Sequence, residues 1–79
     1  MEIMATAYIM IACDFGQEER ILEELKGIDR VKEVHGTEGH YDIVAEVQSR
    51  TTDEINTTVS EKIRRIDGVR STLILVAQC

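Results

Sequence analysis

Four consecutive residues, Gly39-His40-Tyr41-Asp42, and a hydroxyl pair, Ser71-Thr72, are the side chains of this sequence best suited to hold a small charged molecule. Asp42 can accept from an ammonium group, a charge-assisted bond worth about 1.5–3 kcal/mol when shielded from water. The Ser71 and Thr72 hydroxyls and the main-chain amides beside Gly39 can donate to a carboxylate. Together these types suit a zwitterion. They also have a plain structural reading, in which Gly39 and Asp42 shape a hairpin, Tyr41 packs and the hydroxyls are ordinary strand polars. His35 and His40 bracket the turn, but a metal centre wants a third convergent ligand; Asp42 could serve, and a solvated hairpin is the expectation, with no metal. Cys13 has no His or cation near it in sequence to stabilise a thiolate, so it reads as a packing residue; Cys79 is the last residue, and no C-x-x-C spacing exists. No nucleophile-plus-base spacing, Gly-rich phosphate loop or apolar pocket of paired acids stands out, so neither a catalytic residue nor a cofactor is expected.

The elements that must position these residues follow from periodicity. Ala5–Cys13 is a nearly continuous apolar run, Ala7, Ile9 and Ile11 alternating with Tyr8, Met10 and Ala12, which reads as a central strand covered on both sides. Glu18–Leu25 switches to helical spacing, with Ile21, Leu22, Leu25 and Ile28 on one stripe and Gly27 as the stop. Val31–Thr37 carries Lys32, Glu33 and His35, as suits an edge strand, and Glu38-Gly39-His40 makes a tight connection to Tyr41–Val47. Thr51-x-x-Glu54 matches a capping box opening a second helix whose apolar ladder is Ile55, Val59, Ile63 and Ile66. Val69–Ala77 is the last strand, apolar on both faces from Leu73 onward.

The order is β-α-β-β-α-β. Ile28-Asp29-Arg30-Val31 recurs as Ile66-Asp67-Gly68-Val69, a weak repeat of two βαβ units. That predicts an α+β, ferredoxin-like sandwich with a four-stranded antiparallel sheet in the order 4-1-3-2 and both helices on one face. The opposite face would then expose apolar residues along the first and last strands. Packing against a second copy, in the manner of a dimeric α+β-barrel, is the economical cover. In this topology the end of the first strand, the Gly39 turn and Ser71-Thr72 share one edge of the sheet, the third and fourth strands lying about 10 Å apart across the first.

Composition bounds the rest. The chain has 79 residues, enough for one domain spanning 1–79, and a small core that oligomerisation would help stabilise. Fifteen acidic against nine basic residues give a net charge of −6, which argues against direct nucleic-acid binding. No apolar run approaches a membrane span, and Glu2 stands where a signal peptide would carry positive charge, so the chain reads as cytoplasmic, with no membrane partner.

Four motifs, Thr6–Ile9 (TAYI), Ile28–Val34 (I-x-x-V-K-E-V), Gly39–Asp42 (G-x-Y-D) and Gly68–Leu73 (G-V-R-S-T-L), fall in order along residues 4 to 77. In this pattern the chain resembles the effector, or RAM, domain of the Lrp/AsnC regulators. The resemblance implies dimers formed through the sheets, rings of dimers, and an amino acid or similar small metabolite held between dimers. It marks Gly39, Tyr41, Asp42 and Thr72 as ligand-binding residues, with Ser71 as a neighbour. Ile74 stands where the family commonly has a second hydroxyl, and Gly36 and Thr37 where it has large apolar residues. The family's helix-turn-helix is not found before the first strand. The chain therefore reads as a stand-alone module modulating full-length regulators, Met1 favouring a complete product over a fragment. A purely structural oligomerisation domain, or a dimeric α+β-barrel enzyme, are the other readings.

Overall fold

The computed structural model of the chain describes residues 4–77. Cys79 and the signal-peptide reading at Met1–Ile3 lie outside the described residues. Strand β1 (Ala5–Cys13) is followed by helix α1 (Glu18–Lys26), strands β2 (Val31–Gly36) and β3 (Ile43–Ser49), helix α2 (Thr52–Thr58) running on into a π-helical turn (Val59–Ile63), and strand β4 (Val69–Val76). The sheet order is β2-β3-β1-β4, with every pairing antiparallel, which is the expected order read from the other edge.

Alternation along the two central strands decides which face is buried. Ala7, Ile9 and Ile11 of β1 and their partners Val47, Ala45 and Ile43 of β3 are wholly buried. The stripe side chains Ile21 and Leu25 of α1 close over them, as do Ile55, Val59 and Ile63. Each large aliphatic removed from water in this way contributes about 1.5–3 kcal/mol.

The expected cap of the second helix is present, the Thr51 hydroxyl accepting the Glu54 amide at 3.1 Å. The helix itself departs from expectation after Thr58. There the Arg64 amide donates to the Val59 carbonyl at 2.8 Å, an i→i+5 bond in place of i→i+4. The cause lies in the sequence Thr57-Thr58-Val59, three β-branched residues in succession. Two of their hydroxyls turn back onto the carbonyls of Asp53 (3.0 Å) and Glu54 (2.9 Å), a habit that loosens and bends helices.

Two further boundaries differ. The third strand begins at Ile43 rather than Tyr41 and runs on to Ser49. The connection before it spans Thr37 to Asp42, closed by the Thr37 amide on the Asp42 carbonyl (2.8 Å) and the Thr37 hydroxyl on the Tyr41 carbonyl (2.9 Å).

The uncovered face is apolar only in part. Tyr8 faces across to Leu75 and Glu46, and Met10 to Leu73 and Val44. Tyr8, Leu73 and Leu75 are each more than two-fifths exposed. On the β2 side the surface is polar, with Glu33 paired opposite Glu46 and the Glu46 carboxylate accepting from Gln48 at 2.9 Å. The apolar part of this face is thus confined to β1, β4 and Val44 of β3, because the edge strand β2 presents charge.

Candidate functional site

Asp42 sits where β3 has not yet begun and β1 is about to end. Its amide donates to the Ile11 carbonyl at 2.9 Å, and its carboxylate Oδ2 accepts the Cys13 amide at 2.8 Å. The side chain thereby continues the β3 ladder one step beyond the strand's own backbone. At the same point the β1–β4 register shifts between Ala12 and Cys13, a bulge that ends regular pairing. The second oxygen, Oδ1, has no hydrogen-bond partner among the described residues.

Tyr41, half-buried beside Asp42, offers its carbonyl to Thr37. Gly39 takes φ +113° at the exposed tip, a conformation that L side chains rarely adopt, and no atom lies within 4 Å of where a Cβ would project.

Ser71 and Thr72 lie on the other side of β1. Ile11 pairs with Ile43 on one flank and Thr72 on the other, so the Asp42 and Thr72 regions are two strand spacings apart, about 10 Å. Thr72 shares the helix-covered face with Ile11, and its hydroxyl accepts the Arg64 Nε–H at 2.8 Å. A groove of ≈ 360 Å³ opens here, lined by Arg64, Val69, Arg70, Ser71 and Thr72. The structure therefore brings the five expected residues to one edge but in two groups: Gly39, Tyr41 and Asp42 around the turn, Ser71 and Thr72 beside two arginines. Reading the sequence for hydroxyls passed over Arg64 and Arg70. The signal was available, since four of the nine basic residues of an acidic chain fall between Lys62 and Arg70.

The other polar features serve structure. Cys13 is buried, and burial, reinforced by the carboxylates of Asp42, Glu18 and Asp14, pushes its thiol from 9.0 up to about 11, which suits a packing residue rather than a thiolate. His35 is exposed, with Nε2 3.7 Å from Glu33, and no three metal-ligating side chains converge among the described residues. At the far end of the sheet Glu54 accepts from Ser49 (3.0 Å) and pairs with Arg30 (3.3 Å). The Ser49 hydrogen bond, with Arg30 adding to it, holds the Glu54 carboxyl below its usual range although burial opposes this. A larger groove of ≈ 430 Å³ lies at that end between Gly27 and Lys62, where Arg30 is already bonded to Thr58 and Glu54. No helix among the described residues is long and apolar enough to cross a membrane.

Comparisons with known proteins bear on the family and the fold. The family model described as the Lrp/AsnC ligand binding domain matches residues 6–78. An uncharacterized HTH-type transcriptional regulator of Pyrococcus furiosus is 30% identical over 98% of this chain and 53% of its own length. The homocitrate synthase of Saccharolobus islandicus is 40% identical over 68 residues, 85% of this chain but 14% of that protein. The crystal structure of Escherichia coli AsnC superimposes with a TM-score of 0.89 at 29% identity, covering 95% of this chain and 51% of that one. The chain spans about half the length of the first of these relatives and far less of the synthase. The matched span takes in β1 through β4, with the Gly39 turn and the Thr72 groove inside it, and so the chain belongs to the Lrp/AsnC family, whose ligand-binding domain it carries.

Proposed function

We propose that the chain is a non-catalytic sensing module that binds an amino acid or similar small metabolite and passes the signal to a DNA-binding partner through its assembly. The observation that carries this reading is the meeting of the Gly39–Asp42 turn and the Thr72 groove at one edge of the sheet, within the span matched by the ligand-binding family. The free Oδ1 of Asp42 is the acceptor for the ammonium group, and Ser71 and Thr72 receive the carboxylate. Because the two groups are about 10 Å apart, one small zwitterion is gripped at both ends only where a second copy brings its turn to the first copy's groove. The apolar strip of Tyr8, Met10, Leu73 and Leu75 supports a sheet-to-sheet dimer, from which larger rings are built. Full-length Lrp/AsnC regulators are the partners, and the chain makes no direct nucleic-acid contact of its own, in keeping with its net charge of −6.

Thermal melts of the chain against the twenty amino acids test this. A ligand at 100 times its dissociation constant adds about 2.7 kcal/mol, a readable rise in Tm. No rise with any of them overturns the amino-acid reading.

A second reading has its own support, the 40% identity to a segment of homocitrate synthase. In it the same module senses a metabolite for an enzyme rather than for a DNA-binding protein. Native mass spectrometry of the chain mixed with either kind of partner separates the two.

A further inference from the structure

The widened turn at Val59–Ile63 changes which side chain α2 presents to β4. With the Arg64 amide bonded to the Val59 carbonyl, Arg64 comes to face Thr72, and the Nε–H···Oγ1 bond of 2.8 Å holds its guanidinium at the mouth of the groove. Such widened turns recur at functional sites because they re-aim a residue without moving the helix. Arg70 lines the same groove. Its Nε lies 3.8 Å from the Asp14 carboxylate, and neither arginine has another ion pair or side-chain hydrogen bond among the described residues. The Thr72 oxygen accepts from Arg64, which leaves its own proton to donate, and the Ser71 hydroxyl is unengaged among the described residues. The groove thus holds two guanidinium forks, one of them held by Thr72, and two hydroxyl donors in ≈ 360 Å³, the donor set that matches a planar carboxylate.

Within a single copy, what the groove lacks is an unengaged acceptor for a positive charge. Asp14 already faces Arg70, and Asp42 stands about 10 Å away across β1 with one oxygen committed to Cys13. In an α-amino acid the ammonium group sits on the carbon next to the carboxylate, so seating the carboxylate here would hold that positive charge close to two guanidinium groups that repel it. We propose that Arg64 and Arg70, with Ser71 and Thr72, form a receptor for a small organic acid that carries a carboxylate and no ammonium group. The proposal rests on the reading that this edge binds a small metabolite, and departs from it in ligand class.

The test compares 2-oxoglutarate with glutamate, which share a carbon skeleton and differ in the ammonium group. Both are titrated at fixed ionic strength into the wild-type chain and into R64Q, R70Q and D42N, followed by amide and Arg Nε NMR shifts. R70Q guards against loss of fold in R64Q, since Arg70 is exposed and, among the described residues, makes only the long side-chain contact to Asp14. The expected result is 2-oxoglutarate binding at least tenfold tighter than glutamate, shifts at Arg64 Nε and the Ser71 and Thr72 amides, and about tenfold loss in each arginine variant. Glutamate binding as tightly or tighter, weakened by D42N and not by R70Q, overturns the proposal and leaves the amino-acid reading standing. No shift with 2-oxoglutarate overturns the proposal, whereas the amino-acid reading is decided separately by the melts against the twenty amino acids.

Discussion

The Asp42 carboxylate accepts the Cys13 amide at 2.8 Å across 29 residues of sequence, so the acid best placed for a ligand is also a structural fastener of β1. One oxygen is spent on the fold and one remains. The two roles separate by substitution. Asp42→Ala leaves a half-buried amide without its acceptor and is expected to cost about 1–3 kcal/mol of stability. Asp42→Asn keeps a neutral acceptor, so the loss is expected to stay near 1 kcal/mol or below. Denaturant titration of both variants checks the order; equal stability for wild type and Asp42→Ala refutes the structural role.

Glu54 sets an acid-side dependence. Its folded-state pKa is depressed, so the stability it contributes is present above the ordinary carboxylate value of 4.5 and is lost as pH falls through the lower, folded value. Glu54→Gln is expected to lower Tm at pH 7, and the gap to wild type should narrow as pH falls below 4.5 and Glu54 becomes protonated in the folded chain. A gap that does not narrow on acidification refutes the assignment to charge.

Gly68 and Gly39 both take positive φ but differ in surroundings. A Cβ at Gly68 would come within 3.0 Å of Arg20 Nη2 and 3.1 Å of Ile21 Cδ1, while one at Gly39 meets nothing within 4 Å. Gly39→Ala therefore carries backbone strain alone, about 1–2 kcal/mol, and Gly68→Ala is expected to exceed it by about 1 kcal/mol. Thermal melts of the pair give the difference directly; equal losses would mean the neighbours at Gly68 yield without cost.

Leu75 lies at the centre of the apolar strip, opposite Tyr8. Leu75→Lys should leave the fold intact, since the residue is half-exposed in the single chain, but should shift a sheet-packed dimer to monomer at micromolar concentration. Sedimentation equilibrium reads the outcome; an unchanged mass means the copies meet elsewhere.

Much of the scaffold was legible because its signals are local or periodic. The two-sided apolar run of β1 forced it to the centre, and Thr51 with Glu54 announced the start of α2 three residues apart. What escaped was what depends on distant partners. Nothing near Asp42 in sequence points to Cys13, and nothing near Thr72 points to Arg64. The ladder Ile55, Val59, Ile63, Ile66 is buried as read, yet the same apolar spacing is compatible with a normal or a widened turn. The choice between them was made by hydroxyls competing for carbonyls, which hydrophobic periodicity does not record. The candidate residues share one edge as read, and the arginines beside them escaped for the same reason.

The widened turn also bears on how such a domain can change over generations. A helix that gains a residue must either shift every side chain downstream or absorb the extra length in one loop of its coil. Here Val59, Ile63 and Ile66 all remain seated in the interior while the i→i+5 bond takes up the slack. Insertion or deletion of a single codon at this turn is therefore a route by which the lineage can swap the side chain offered to β4, arginine in this case, without renegotiating the core beneath it.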